Sequence, residues 1–489
     1  MEYTTLGDML EESSISYPDN ISIIHNGKTL TYEKLNGAAK AFGNALKKLG
    51  IKKGDKVAIM LPNVPDFIIA YFATVKLGAV AVTINTLSTS YELIHLLSDS
   101  ESRALITTPL GVKRFQEIRG DCPLCEHLIV TEGDQGDTSI EDVIETGPRD
   151  LKAVEISKDD PAVMIYTAGL TGKPLGAVLT HGNLSTQSLL LRDMIHADEH
   201  DRGLCLIPLF HSFGAVANML GILKIGASLV MMDQFKMDSI FKAIEEEKIT
   251  YIAAVPRLFL GMFIYEGVEG YNLDSLKLCI TGGSAAPAEF FDSFEKKFGV
   301  RLMEGYGLTE AAPVCSFSRI DMVQKPGSVG IPIPGVEAKV VDENGVRLPA
   351  GEEGELLLKG PNIMKGYYRN DAATADVIKD GWLHTGDLAW IDEEGYIFLT
   401  GLKKRMIITS GFNVYPKEVE DVLHMHSEVF SAMVVGKPDM MRGETVKAII
   451  IKKEGAEVDE KAIMKHCRIY LSPYKTPRTV EFVESFDGL

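Results

Sequence analysis

Short apolar runs alternate with segments of helical periodicity between residues 30 and 330, and this alternation restricts the fold more than any other feature of the chain. Residues 56–61 and 79–84 are predicted strands, and residues 64–76 and 90–98 are predicted helices. Further predicted strands cover residues 204–208, 228–232, 251–255 and 278–281. Strands and helices that alternate in this way form α/β layers with mostly parallel sheets, and that is the predicted fold class.

The pattern changes at about residue 327. Residues 335–341, 354–359 and 395–400 read as short strands broken by Gly, Pro and Asn-Gly turns, which predicts a small antiparallel β subdomain over about 327–400. A last unit of mixed strands and helices begins at residue 401, with its first predicted helix at residues 418–426. The sequence therefore predicts a large N-terminal part, a β subdomain and a small α+β C-terminal part.

The loop within residues 166–181 follows an apolar run, residues 162–165, that is predicted to be a buried strand. Its glycines lie among threonines; glycines let backbone N–H groups approach an anion and threonine hydroxyls add donors, so the loop is predicted to hold phosphates. Lys173 is followed by Pro174 instead of Ser or Thr, so this is not a Walker loop. Taken alone, an ordinary strand-to-helix turn explains the segment about equally well.

Three further motifs follow in order: Glu-Gly-Tyr-Gly-Leu-Thr-Glu at residues 304–310, Trp-Leu-His-Thr-Gly-Asp at residues 382–387, and a basic loop, strand and glycine turn at residues 401–416. Together with the first loop they resemble the adenylate-forming superfamily, which includes acyl-CoA synthetases, firefly luciferase and the adenylation domains of peptide synthetases. The resemblance runs from about residue 30 to about residue 486. It implies an N-terminal domain (1–400) and a mobile C-terminal domain (401–489), hinged near Lys404, with the active site between them.

The resemblance also implies roles in nucleotide binding for the residues that match the family motifs. Tyr306, followed by Gly307, resembles the aromatic residue that stacks on adenine, and Asp387 resembles the acid that accepts both ribose hydroxyls. Thr309 is expected near the α-phosphate, and Glu310 is expected to bind Mg²⁺, a hard cation that suits carboxylate oxygen. The expected phosphate loop consists of Thr167, Gly169, Thr171, Gly172 and Lys173. The expected backbone strip beneath the adenine and the acyl chain consists of Gly282, Gly283 and Ser284.

Two other segments resemble family regions that bind the remaining substrates. Residues 208–214, which contain His211, match the segment beside the substrate carboxylate; His211 is a candidate catalytic residue, and a packed aromatic side chain is the alternative. No acid lies in this segment to pair with an α-amine, which favours a plain carboxylic acid. Ser410, Gly411 and Phe412 resemble the turn beside the path of the CoA thiol.

The chain departs from the family pattern in three places. Ala168, Leu170 and Leu175 stand where the family usually has Ser, Thr and Lys, and Leu402 stands where it has an arginine. The sequence given ends at Leu489, before the family lysine that bridges the carboxylate and the α-phosphate, so we expect either a truncated chain or a protein without that lysine. Lys173 and Lys475 are the candidates to replace it.

The chemistry implied is activation of a carboxylate. Attack on the α-phosphorus of ATP gives an acyl-adenylate whose AMP leaves easily, and the thiol of CoA then takes the acyl group. We expect an AMP-forming acid–thiol ligase that uses ATP, Mg²⁺ and CoA with a fatty acid of medium or long chain. An aryl-CoA ligase and a catalytically weak protein that binds acyl-adenylate or CoA are the alternatives.

The net charge of −18 argues against nucleic acid as a partner, because phosphates would be repelled. Residues 1–8 lack the basic region and apolar core of a signal peptide, and no stretch reads as a membrane span, so a cytoplasmic location is expected. Peripheral membrane contact and homodimer formation are compatible with the sequence.

Overall fold

The computed structural model describes residues 4–133, 136–152, 154–167, 173–232, 235–284, 286–402 and 406–486. Its α-helices are α1 (Leu6–Ser16), α2 (Tyr32–Lys48), α3 (Pro65–Lys76), α4 (Ser90–Ser100), α5 (Pro109–Ile118), α6 (Ile140–Thr146), α7 (His181–Ser185), α8 (Leu190–Ile195), α9 (Gly221–Lys224), α10 (Met237–Glu247), α11 (Pro256–Ile264), α12 (Ala288–Phe298), α13 (Asp371–Val377), α14 (Pro416–His424) and α15 (Glu460–Tyr470). Shorter 3₁₀ turns cover Arg119–Asp121, Glu266–Gly270 and Thr309–Ala311, and a π-helix covers Gly214–Leu220.

The strands of the first half of the chain are β1 (Ile21–His25), β2 (Lys28–Thr31), β3 (Lys56–Met60), β4 (Val80–Thr83), β5 (Ser102–Thr107), β6 (His127–Val130), β7 (Thr138–Ser139), β8 (Pro161–Thr167), β9 (Leu175–Thr180), β10 (Arg202–Cys205), β11 (Ser228–Met231), β12 (Tyr251–Ala254), β13 (Leu278–Thr281) and β14 (Arg301–Gly307). The later strands are β15 (Val314–Phe317), β16 (Ile331–Pro332), β17 (Glu337–Val341), β18 (Gly354–Lys359), β19 (Gly366–Tyr367), β20 (Ile378–Lys379), β21 (Trp382–Ile391), β22 (Ile397–Leu402), β23 (Ile407–Thr409), β24 (Phe412–Val414), β25 (Val429–Asp439), β26 (Gly443–Lys452) and β27 (Thr479–Phe482).

Two large sheets form the N-terminal part. One has nine strands in the order β16-β15-β14-β13-β12-β10-β11-β1-β2, and the other has eight in the order β19-β9-β8-β4-β3-β5-β6-β7. The central strands of both sheets are parallel, and antiparallel pairs occur toward their ends, as between β8 and β9 and between β14 and β15. The predicted class of α/β layers with mostly parallel sheets is therefore what the chain forms.

Helices cover both faces of each sheet, which explains why the strands read as continuous apolar runs. Along β3, Val57 and Ile59 belong to the core shared by the two sheets with α2 and α3, whereas Ala58 and Met60 pack toward α4 and α5. The outer face of the nine-stranded sheet packs against α10, α11 and α12. All side chains from Phe67 to Val75 of α3 are buried, and each large one contributes about 1.5–3 kcal/mol by leaving water.

A third, five-stranded sheet contains β17, β18, β21, β20 and β22. Not every strand between residues 327 and 400 belongs to it, because β16 pairs with β15 of the nine-stranded sheet and β19 pairs with β9 of the eight-stranded one. The β-rich segment is thus joined to both large sheets by strand pairing. Within the described residues, no helix is both long enough and apolar enough to cross a membrane.

The C-terminal part has a separate core around β23, β25, β26, β27, α14 and α15. Its contact with the N-terminal part places α15 against α4 and brings Phe412 of β24 next to Phe210. The predicted helix at residues 418–426 corresponds to α14, which begins at Pro416, a favoured first residue of a helix. Lys404, the expected hinge, lies outside the described residues.

Candidate active site

Two cavities of about 650 and 560 Å³ lie side by side at the ends of the large sheets and beneath the C-terminal part. Their walls share His211, Leu308, Thr309, Asp387, Met406 and Asn413. The shared wall contains a histidine, a hydroxyl and a carboxylate, so polar chemistry is possible where the cavities meet. In the nine-stranded sheet β13 and β14 run parallel, with Thr281 opposite Glu304, which brings residues 282–284 and 305–307 to one edge.

Glu310 in the first cavity is oriented by two hydroxyl groups. Its Oε1 accepts hydrogen bonds from Thr167 Oγ1 at 3.1 Å and from the Tyr367 hydroxyl at 2.8 Å. Thr167 is the last residue of β8, Tyr367 lies in β19, and Glu310 lies in the 3₁₀ turn after β14. Three separate segments therefore fix one carboxylate at the cavity wall, and Lys173 lies exposed at the same cavity.

Tyr306 and Asp387 are joined by a hydrogen bond from the tyrosine hydroxyl to the carboxylate, although they lie in β14 and β21. Burial and the negative charge of Asp387 raise the pKa of Tyr306 well above its ordinary value, so the phenol stays protonated and donates. The backbone N–H of Asp387 donates to Thr385 Oγ1 at 3.0 Å. The aromatic ring and the acid predicted to hold adenosine are thus neighbours in the second cavity.

His211 lies between the two cavities and is neutral. Burial lowers its pKa to about 4, and its Nδ1 accepts a hydrogen bond from the backbone N–H of Phe213 at 3.2 Å. A neutral imidazole that accepts at Nδ1 carries its proton on Nε2. His211 therefore has an N–H group available to donate, while Ser212 next to it pairs with Thr309 through their hydroxyls at 3.2 Å.

The second cavity has a mainly hydrophobic wall away from the shared residues. Helix α8, the π-helix and the sheet edge line it, and the apolar side chains include Leu190, Leu191, Met194, Ile195, Phe213, Val216, Ala217, Ile280, Val329 and Ile333. The lining also includes the predicted strip Gly282, Gly283 and Ser284, together with Gly307. An apolar cavity that opens onto a histidine and a hydroxyl fits a molecule with a hydrocarbon body and one polar end.

The C-terminal part contributes residues to both cavities. The ring of Phe412 stacks between those of Phe210, at 6.4 Å, and Tyr474, at 4.7 Å. Gly411 lies against Val255 with a φ of +84°, and a Cβ there would approach Val255 Cγ1 to 2.6 Å, so the position requires glycine. This glycine and the stacked rings hold the turn at residues 410–413 against the N-terminal part.

Ser410 lies outside the two cavity walls and instead contacts arginines. Its Oγ accepts from Arg257 Nη1 at 3.3 Å and from Arg442 Nη1 at 3.4 Å. Burial lowers the pKa of the Arg442 guanidinium, and the positive charges of Arg478 and Arg257 lower it further. A cluster of three arginines, Arg257, Arg442 and Arg478, therefore lies beside the turn, in a chain whose net charge is −18.

The structure brings most of the predicted site residues together. Thr167, Lys173, His211, Thr309, Glu310, Asp387 and Phe412 line the first cavity, and Gly282, Gly283, Ser284, Tyr306, Gly307 and Gly411 line the second. Gly169, Thr171, Gly172 and Lys404 lie outside the described residues. Sequence reasoning missed Tyr367 and Tyr474, whose positions depend on contacts with distant parts of the chain.

Glu310 is the residue of this site whose carboxylate could hold a metal ion. No group of three or more His, Cys, Asp or Glu side chains suited to a metal occurs among the residues that the structure describes. Mg²⁺ is usually held by one or two carboxylates together with the phosphates of its substrate, and a single fixed carboxylate fits that mode.

Comparison with known proteins identifies the family. The models of the AMP-binding enzyme and of the AMP-binding enzyme C-terminal domain match residues 10–368 and 418–487. The long-chain-fatty-acid–CoA ligase of Bacillus subtilis (strain 168) is 34% identical over an alignment 508 residues long. The alignment covers 98% of this chain and 91% of that protein. The feruloyl-CoA synthase of an Amycolatopsis species is 33% identical over 470 residues, covering 96% of this chain and 92% of that protein.

A solved structure of fatty acyl CoA synthetase from Mycobacterium tuberculosis superimposes with a TM-score of 0.77 at 30% identity, covering 98% of this chain and 94% of that one. The chain belongs to the AMP-binding enzyme family. The predicted membership of the adenylate-forming superfamily and the predicted fold class are confirmed, and so is the prediction of an AMP-forming acid–thiol ligase.

Proposed function

We propose that this chain is an ATP-dependent acyl-CoA synthetase that converts a fatty acid of medium or long chain into an acyl-adenylate and then into an acyl-CoA thioester. The observation that carries the proposal is the junction of the two cavities at His211, Thr309 and Asp387. One cavity has a hydrocarbon-like wall and the other a fixed carboxylate and hydroxyls. A fatty acid and ATP can therefore meet with the acid's carboxylate facing the α-phosphate.

ATP is held, in this proposal, by residues already oriented for it. The Tyr306 ring packs against adenine, and Asp387 exchanges its hydrogen bond from Tyr306 for those of the ribose hydroxyls. Glu310, with Thr167 at its side, would hold Mg²⁺, and the ion would supply positive charge to offset that of the phosphates. Lys173 and the rest of its loop contact the pyrophosphate that leaves.

His211 serves in this proposal as a neutral hydrogen-bond donor. Its Nε2–H donates to an oxygen of the substrate carboxylate and holds the other oxygen toward phosphorus. The same N–H then stabilises the negative charge that develops on the acyl oxygen when the thiol attacks, as in an oxyanion hole. A neutral imidazole suits both steps because it donates without trapping the carboxylate in an ion pair.

CoA approaches from the side of the C-terminal part. Its phosphates are strongly anionic, and the arginine cluster (Arg257, Arg442 and Arg478) provides local positive charge in a chain whose net charge is −18. The turn that begins at Ser410 leads from these arginines to Phe412 and Asn413 at the cavity. The thiol reaches the acyl-adenylate along this turn.

We also propose that residues 1–400 and 401–489 form separate domains hinged near Lys404.

An aryl acid is the second candidate substrate, because a feruloyl-CoA synthase is similar at 33% identity over most of both chains. Acid-dependent exchange of labelled pyrophosphate into ATP distinguishes the two candidates. We expect saturated fatty acids between octanoate and stearate to support exchange with a higher kcat/KM than benzoate, cinnamate or ferulate. The opposite ranking would support the aryl substrate, and no exchange with any acid would refute the proposed function.

A further inference from the structure

A buried group of three charged side chains joins the C-terminal part to the N-terminal part. We propose that this ion triad, formed by Glu92, Glu418 and Lys475, is a positioning device for thioester formation. It holds Phe412, Asn413 and Tyr474 at the cavity while the thiol attacks. The proposal rests on the two-step function proposed above.

The triad is closely bonded. Lys475 Nζ lies 2.8 Å from Glu92 Oε1 and 2.6 Å from Glu418 Oε1. The other oxygen of Glu92 accepts hydrogen bonds from the Ser472 hydroxyl and from the backbone N–H of Thr89, the latter at 2.9 Å. Glu92, Glu418 and Lys475 are 9%, 8% and 6% exposed, so water screens their charges poorly.

Each member of the triad comes from a different segment. Glu92 lies in the first turn of α4 in the N-terminal part, where it forms a capping box with Thr89. Glu418 lies in the first turn of α14, and Lys475 lies in the turn between α15 and β27. Thr89 Oγ1 also donates to the carbonyl of Tyr470 at 3.0 Å. The triad therefore fixes two segments of the C-terminal part to one helix end of the N-terminal part.

The two carboxylates are not equivalent. Burial raises the pKa of Glu92, but the Lys475 charge and the hydrogen bonds from Lys475 and Ser472 outweigh burial, so that pKa is lowered overall. Burial also raises the pKa of Glu418, and Lys475 does not compensate fully, so that pKa stays raised. Glu92 is thus the charged partner of Lys475. Glu418, whose Oε2 has no hydrogen-bond partner among the described residues, is the more easily protonated one. A neutral amide should replace Glu418 more easily than Glu92.

Tyr474 links the triad to the aromatic stack at the reaction site. Tyr474, which precedes Lys475, stacks on Phe412, and Phe412 stacks on Phe210. Glu92, Glu418 and Lys475 are themselves part of the wall of the first cavity. Loss of the triad therefore releases Tyr474 and, with it, the aromatic stack that closes the cavity on the side of the C-terminal part.

Nucleotide binding should not depend on these contacts. The groups that face ATP in the proposed function, Thr167, Tyr306, Glu310 and Asp387, all belong to the N-terminal part, and none of them bonds to the triad. Adenylation should therefore proceed without the triad, whereas thioester formation should require it. A residue with a merely structural role would affect both half-reactions.

The test measures the two half-reactions separately in the full-length protein. Pyrophosphate exchange with palmitate and ATP reports adenylation, and acyl-CoA formation from synthetic palmitoyl-AMP and CoA reports thioester formation. For Lys475→Met and Glu92→Gln we expect exchange within about twofold of wild type and a kcat for thioester formation lowered about tenfold or more. For Glu418→Gln, the rates of pyrophosphate exchange and of thioester formation should both lie within about threefold of wild type. Lys417→Met, on the same helix in an exposed pair with Asp421, is the control and should leave both rates unchanged.

Equal losses in both half-reactions, or no loss of thioester formation, would overturn the proposal. A second measurement, which does not depend on enzymatic activity, accompanies the half-reaction assays. The six native cysteines are buried, so spin labels can be attached at Gln116→Cys in α5 and Lys461→Cys in α15, both exposed. The label–label distance distribution should be broader in Lys475→Met than in wild type, and an unchanged distribution would also overturn the proposal. A wild-type protein inactive in both half-reactions would refute the proposed function instead, and the spin-label result would still decide whether the triad fixes the C-terminal part.

Discussion

Replacing Tyr367 by phenylalanine tests how the fixed carboxylate of Glu310 contributes to adenylation. The substitution removes a single hydroxyl, which donates to Glu310 Oε1 at 2.8 Å, and keeps the ring. The carboxylate then retains only the hydrogen bond from Thr167, at 3.1 Å. We expect it to rotate away from the position that suits Mg²⁺ and the phosphates.

A hydrogen bond to a charged group contributes about 1.5–3 kcal/mol. Because Thr167 still holds one orientation, the lower half of that range applies, and kcat/KM for MgATP should fall about 13-fold to 45-fold. The assay is palmitate-dependent pyrophosphate exchange at varied MgATP concentration. Thr167→Val combined with Tyr367→Phe should lose less than the product of the single losses, since both hydroxyls act on the same oxygen.

Tyr368→Phe is the matched control. The Tyr368 hydroxyl donates to Glu101 at 2.7 Å and accepts from Lys56 at 2.7 Å, and Tyr368 lines neither cavity. This variant should exchange pyrophosphate like wild type. The reasoning would be refuted if Tyr367→Phe exchanged pyrophosphate within about twofold of wild type. It would also be refuted if Tyr368→Phe lost as much kcat/KM as Tyr367→Phe.

Three further substitutions test other parts of the account. Glu310→Ala should abolish adenylation and leave the thermal unfolding midpoint close to that of wild type, because the carboxylate faces a cavity; calorimetry and pyrophosphate exchange measure the two. Asp387→Ala should weaken ATP binding more than about tenfold, or about 1.4 kcal/mol, as measured by titration calorimetry, because a charged contact with two hydroxyls is lost. His181→Gln should reduce the loss of stability in acid: burial lowers the pKa of His181 from 6.5 to about 4, so the unfolded state binds more protons between these values and stability falls as pH falls. Chemical denaturation at pH 7 and pH 5 should show wild type losing about 2 kcal/mol more than the variant.

Each of these has a contradicting outcome. Unchanged Mg²⁺ dependence and rate in Glu310→Ala would remove Glu310 from metal binding. Equal ATP affinity in Asp387→Ala would reject its contact with ribose. Parallel pH dependence of wild type and His181→Gln would show that His181 is protonated in the folded protein, despite its complete burial and the hydrogen bond that its Nδ1 accepts from Leu6.

Much of the fold was predictable because its signals are local. A strand buried on both faces reads as an apolar run, and the predicted strand at residues 278–281 coincides with β13. The predicted strand at residues 204–208 was displaced, since β10 covers Arg202–Cys205. The strand ends there because the Asn63 side chain bonds to the carbonyl of Ile207 and the N–H of Leu209. Ile207 and Leu209 thus bond to a side chain more than 140 residues away, which no local pattern reveals.

The site shows the same difference between local sequence signals and contacts that join distant parts of the chain. Thr309 and Glu310 were found because they are adjacent in one motif, and the structure places them in one cavity wall. Tyr367 was missed because it lies 57 residues from Glu310 in a two-residue strand without periodicity. Lys475 was considered as a replacement for the family lysine; its bonds to Glu92, 383 residues away, and to Glu418 engage its ammonium group in this structure.

A rapid-quench experiment with the purified protein tests the central claim most directly. The enzyme in excess is mixed with palmitate, MgATP and CoA, and acyl-AMP, acyl-CoA and the adenine nucleotides are quantified by mass spectrometry over a single turnover. The account predicts that palmitoyl-AMP appears first and then decays as palmitoyl-CoA and AMP form together. Formation of palmitoyl-CoA with ADP and phosphate, and no palmitoyl-AMP at any time, would contradict it.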